Sequence, residues 1–135
     1  MRVAFDHVGL SVADLDAAEA FYTTAFGFER QLAFELSPHP IRGVMLGHPS
    51  GFRMELFEHA SSVPGLRAAD PIEAHGTQGY NHFAVRADDI DALWERAIGA
   101  GATAVKPPAD SPEPGVRFAF LADPEGHLVE LVELG

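Results

Sequence analysis

The chain has 135 residues, 47% of them hydrophobic, with a formal net charge of −11, only nine Lys and Arg, and no cysteine. That length sets one domain, or two very small ones sharing a core, and the charge argues against nucleic acid, whose phosphates need clustered basic side chains. The lack of cysteine excludes a disulfide framework, a thiolate nucleophile and a thiolate metal site.

No apolar run is long enough to span a bilayer, and the opening "MRVAFDHVGL" lacks a charged-then-apolar signal pattern. The expectation is a cytoplasmic enzyme or binding protein without membrane partners.

In chain order, "HVGLSV" reads as a short alternating strand. Asp14 follows as a helix N-cap. Leu15, Ala18, Phe21, Tyr22, Ala25 and Phe26 then recur at helical spacing until Gly27 stops the helix. Residues 29–41 are harder to read and take one strand. Two further strands are joined by "HPSG", a β-turn composition. The segment 59–79 is rich in Gly, Pro and small polar residues and reads as a flexible linker. The order then repeats. "HFAVRA" is a strand, and Asp89 caps a helix carrying Ile90, Leu93, Trp94, Ala97 and Ile98 that ends at Gly99 or Gly101. A strand lies in the Pro-rich 103–116, and a last strand pair is joined by "DPEG".

The repeat is exact in register. "DHVGLSVADLDAA" lies over "NHFAVRADDIDAL", and the same 75-residue offset lays "HPSGFRMELFE" over "DPEGHLVELVE". It superposes His7 on His82, Arg42 on Arg117, Glu55 on Glu130 and Glu58 on Glu133. The chain therefore divides into a module over about 1–58, a linker over about 59–79 and a second module over about 80–135. The fold class is α+β, two tandem βαβββ modules within a single domain.

Strand alternation places the candidate site. Val8, Leu10 and Val12 face the helix, so His7, Gly9 and Ser11 face away. Met54 and Leu56 pack, and Arg53, Glu55 and Phe57 lie opposite. The same parity sends His82 and Glu130 to the face that does not meet the second helix. Two such sheets can curve into one cup. A lone strand His is more often a hydrogen-bonded core residue, and a lone Glu more often meets water. Two His and two Glu that repeat by one offset and share a face point instead to a divalent metal. The metal also answers why Glu55 sits among apolar neighbours, since an unpaired carboxylate there is costly. Arg86 on the cup face could anchor a substrate carboxylate, and Phe5 and Phe57 could form an apolar wall. His39, His48, His59, His75 and His127 read as turn and surface residues.

At "DHVGLSVADLDAAEAFYTTAFGFE", "MELFE", "NHFAVRADDID" and "FLADPEGHLVELVE" the sequence resembles the vicinal oxygen chelate superfamily. Its members include glyoxalase I, methylmalonyl-CoA epimerase, extradiol dioxygenases and the fosfomycin and bleomycin resistance proteins. The resemblance implies that His7, Glu55, His82 and Glu130 are the metal ligands, that the metal is Ni, Zn, Co, Mn or Fe, and that the chain forms a homodimer. It also implies that Glu130 is the catalytic base, with Glu55 as alternative. The activity it implies is that of a glyoxalase-like isomerase or lyase, which handles a small vicinal-oxygen substrate through a metal-stabilised enediolate. The alternatives are an iron-dependent dioxygenase using His7, His82 and Glu130, and a protein that sequesters a drug as the bleomycin-binding members do. Ser11 and His59 stand where glyoxalase I enzymes tend to carry the Arg and Asn that grip glutathione.

Overall fold

The structure is a computed structural model that describes residues 1–135. It divides into two compact units, Met1–Val63 and Pro64–Gly135.

The first unit holds β1 (Val8–Ser11), α1 (Leu15–Phe26), β2 (Glu29–Glu35), β3 (Ile41–Gly47) and β4 (Arg53–His59). Its sheet has the order β1-β4-β3-β2, with β1 parallel to β4 and the other pairs antiparallel. Asp14 caps α1 by accepting from the Ala17 N–H at 3.0 Å, and Gly27 ends the helix at φ 80°, a left-handed conformation that glycine adopts without penalty. The apolar stripe of α1 is buried as the spacing predicts, and it packs on β3 and β4. Met54 and Leu56 lie beneath it, both fully buried. Burying such side chains contributes roughly 1.5–3 kcal/mol each.

The second unit repeats the plan. After α2 (Pro71–Ala74) come β5 (Phe83–Arg86), α3 (Ile90–Gly99), β6 (Thr103–Asp110), β7 (Val116–Ala122) and β8 (Leu128–Leu134). The sheet order is β5-β8-β7-β6, and β5 runs parallel to β8. Asp89 caps α3 through the Ala92 N–H at 2.9 Å. Edge strand β6 slips register between Lys106 and Ala109, around Pro107 and Pro108. Proline donates no ladder hydrogen bond, so edges and irregularities are where it can sit.

The repeated βαβββ order is thus the observed architecture. Between the sheets, the expected linker is not featureless. β4 runs on through His59, and α2 forms within it, capped by Asp70 accepting from the Glu73 N–H at 2.8 Å.

Candidate metal centre

His7 stands one residue before β1, and Glu55 is in the middle of β4. Parallel pairing sets Gly9 against Glu55, and antiparallel pairing sets Met45 on its other side. The result is His7 Nε2 at 3.4 Å from Glu55 Oε1, with Glu55 22% exposed.

The second unit builds the same pair. Ala84 and Phe120 flank Glu130 in register, and His82 Nε2 lies 2.9 Å from Glu130 Oε2. The buried Phe120 ring meets the imidazole edge-on, with centroids 4.9 Å apart. So each sheet brings its own His and Glu together, one His–Glu pair in each unit.

What lies behind each imidazole matters as much. His7 Nδ1 is 2.5 Å from Asp6 Oδ2, and His82 Nδ1 is 2.6 Å from Asn81 Oδ1. Engaging Nδ1 in this way fixes the ring and leaves Nε2 toward the glutamate, the arrangement metal-bound histidines use. The hydrogen bond with His7, aided by the Arg53 charge, holds the Asp6 carboxyl below its ordinary value.

The donor set fits a divalent ion. Imidazole nitrogen and carboxylate oxygen each bind such ions at roughly 2.0–2.2 Å. Two adjacent ligands on one ion then stand about 3 Å apart, the spacing both pairs show. The His7–Glu55 distance is also long for a direct hydrogen bond.

Of the residues expected to meet substrate, Phe57 lies on β4 beside Glu55, half-buried, its ring edge-on to Phe34 at 5.9 Å. Phe5 precedes β1, so strand parity does not govern it. It is 76% exposed and stacks on Phe52 at 6.3 Å. Arg86 ends β5 and is exposed. His127, expected at the surface, has a side chain only 13% exposed, because Asp123 binds its Nδ1 at 2.8 Å.

Another acidic cluster, Asp89, Asp91 and Glu133, gathers at the start of α3. Its members are already engaged. Arg117 donates to Asp91 at 2.6 Å and lies 3.7 Å from Glu133, while Glu133 accepts from the Ile90 N–H at 2.9 Å. These carboxylates close a helix end.

Asp6 and Gln31, which no repeat or motif singles out, stand behind His7 with Arg53. Arg53 reaches Asp6 at 3.3 Å and Gln31 at 3.1 Å. Their counterparts at the repeat offset are Leu128, Asn81 and Lys106, so searching for what repeats passes over them.

Comparison with known proteins places the chain. The model of the "Glyoxalase/Bleomycin resistance protein/Dioxygenase superfamily" matches residues 4–131. The lactoylglutathione lyase GLX1 of Arabidopsis thaliana is 30% identical over 134 residues, which cover 97% of this chain but only 44% of that protein. The chain therefore spans under half the length of that relative. A 2-epi-5-epi-valiolone epimerase from Actinomyces sp is 30% identical over 156 residues, covering 98% of this chain and 80% of that one. The crystal structure of a glyoxalase family protein from Bacillus cereus superposes with a TM-score of 0.83 at 23% identity, covering 100% of this chain and 97% of the other, a likeness of fold. With the repeated modules and a family match over nearly the whole length, the chain belongs to the glyoxalase/bleomycin resistance protein/dioxygenase superfamily.

Proposed function

We propose that the protein is a divalent-metal-dependent, glyoxalase-like enzyme, an isomerase or lyase acting on a small substrate with two neighbouring oxygens. His7, Glu55, His82 and Glu130 are its metal ligands. The observation that carries this reading is the paired geometry: in each unit Nδ1 is occupied from behind while Nε2 faces a carboxylate.

When bound, the metal supplies Lewis-acid polarisation of the substrate's oxygens, which acidifies a C–H next to a carbonyl. Glu130 then acts as general base. Its carboxylate takes that proton and returns it to the neighbouring carbon, so an isomerisation closes with no net proton change. His82 Nε2 lies 2.9 Å from Glu130 Oε2, so the two donors can meet on one ion. Glu55 is the alternative base. Phe57 and Phe5 offer apolar surface to the substrate, and Arg86 a cation for a substrate carboxylate.

Relatives named as a lactoylglutathione lyase and an epimerase agree with this class of chemistry. Ser11 and His59 supply no cationic grip for glutathione carboxylates of the kind an arginine gives.

Elemental analysis of protein purified without tag or chelator tests the reading. About one Ni, Zn, Co or Mn per chain supports it. Iron with substrate-dependent oxygen uptake would instead assign a dioxygenase using His7, His82 and Glu130. No metal, with tight binding of a cationic compound, would assign sequestration.

A further inference from the structure

The repeat preserves His and Glu but not what stands behind them. Asp6 faces His7 with a carboxylate, which can only accept hydrogen bonds, so the proton shared at 2.5 Å belongs to His7 Nδ1. Nε2 is then left as a lone pair. At 3.4 Å from Glu55 Oε1 it makes no short contact that would call for a proton on Nε2.

Asn81 faces His82 with an amide, which accepts through one end and donates through the other. Rotating that amide would move the His82 proton to Nε2, where it can bond Glu130. One imidazole has a single neutral tautomer available, and the other has two.

Asp6 is itself held. Arg53 Nη1 lies 3.3 Å and 3.5 Å from its two oxygens, and Arg53 Nε donates to Gln31 Oε1 at 3.1 Å. At the matching place in the second unit, Leu128 is an apolar residue 5% exposed, with no charge to offer Asn81. The network behind His7 belongs to the first unit alone.

We propose that Asp6, steadied by Arg53, is a positioning residue that fixes the neutral His7 tautomer with its proton on Nδ1. This makes His7–Glu55 the anchoring half of the metal centre. The inference rests on the metal-enzyme reading above. An ion binding to His7 needs no tautomer change, whereas binding to His82 requires the Asn81 amide in one orientation. The carboxylate also makes the His7 ring a more basic ligand than the amide makes His82.

The test has two readouts. The first is the ring-nitrogen spectrum of metal-free protein, by long-range proton–nitrogen correlation NMR at about pH 8, where an ordinary imidazole is neutral. Wild-type His7 should show a protonated Nδ1 and an unprotonated Nε2. Asp6→Asn should bring the two shifts toward a tautomer mixture, and Asn81→Asp should move His82 to the His7 pattern. Asp6→Glu should restore the wild-type pattern in part. Unchanged His7 nitrogens in Asp6→Asn would overturn the proposal.

The second readout is Zn²⁺ titration by calorimetry. Asp6→Asn should weaken binding by roughly 10–100-fold, the usual effect of losing such a supporting group, and Asn81→Asp should tighten it. A tautomer change with unaltered affinity would overturn the anchoring role. If wild-type protein takes up no Zn²⁺, Co²⁺ or Ni²⁺ the metal-enzyme reading fails, and the metal-free spectrum still decides whether Asp6 fixes His7.

Discussion

Glu58 on β4 accepts a hydrogen bond from the backbone N–H of Leu15 at 2.8 Å, closing the first turn of α1 from a different strand. Leu15 is the first helical residue, so its N–H has no partner within the helix. Asp14 satisfies Ala17, and Glu58 supplies what the cap cannot reach. Arg42 holds Glu58 from the far side at 3.0 Å. Glu133, Ile90 and Arg117 repeat the device in the second unit.

Glu58→Ala should therefore destabilise the first unit by about 1–2 kcal/mol, the cost of losing a cap and leaving a donor unpaired. Glu58→Gln, which keeps an acceptor, should cost less. Thermal unfolding of both variants checks this, and equal melting points for alanine and wild type would reject it.

Acid should weaken the same contacts. Arg42, and then the Leu15 N–H, lower the Glu58 carboxyl from its ordinary 4.5. Arg30 lowers Glu19 and Arg117 lowers Asp91 in the same sense. With folded values below unfolded ones, the unfolded chain binds more protons as pH falls. The stabilisation is complete above about 4.5 and is lost as pH drops through the folded values. Asp91 is exposed and Glu19 and Glu58 are only half-buried, so the effect is modest and shrinks with salt. Urea midpoints should decline between about pH 5 and pH 3 and decline less in Arg42→Met. A flat profile would contradict this.

Gly43 tests the packing beside the candidate site. It pairs with Phe34 on one side and Phe57 on the other, and their rings meet across it. A Cβ there would stand 2.5 Å from Phe34 Cζ and 2.9 Å from the Leu56 carbonyl oxygen. Gly43→Ala should cost about 1–3 kcal/mol through overpacking and displace the Phe57 ring. A chemical denaturation curve matching wild type would show that Phe34 yields freely.

Much of this plan is legible in the chain. Helix limits followed from Asp14, Asp89 and Gly27, because capping is a local contest that neighbours settle. Strand parity put Leu10, Met54, Leu56, Val129 and Leu131 in the cores, where all five are buried. The short helix at Pro71 escaped notice although "DPIE" carries Asp, Pro and Glu at capping positions. Composition had marked that segment as linker. The Gln31–Arg53–Asp6 chain was not legible, because hydrogen bonds between exposed polar groups on different strands leave no periodic trace.

Replacing Glu130 by Gln separates ligand from base. The amide keeps an oxygen donor but cannot take a proton, so turnover on the true substrate should fall by roughly two to four orders of magnitude. Metal content should fall much less. Near-normal turnover would pass the base role to Glu55.

Mixing chains tests whether ligand pairs are shared across a homodimer. His7→Ala and Glu130→Ala chains should each be inactive. If each centre joins the first unit of one chain to the second unit of another, refolding them together regenerates one intact set of ligands per heterodimer, and activity returns. If every centre is built within one chain, the mixture stays dead.

The parallel pairing that brings each His to its Glu has a kinetic consequence. The partners are 48 residues apart in sequence, and the strands that carry them are joined through a helix and two other strands. Closing so long a loop carries its entropy cost before the pairing repays it. β1 and β5 are edge strands held only by β4 and β8, so docking them completes each sheet. In a refolding time course, helix signal and the antiparallel hairpins should form ahead of metal-binding competence. Probes that report the His–Glu pairs would then mark the arrival of the native state.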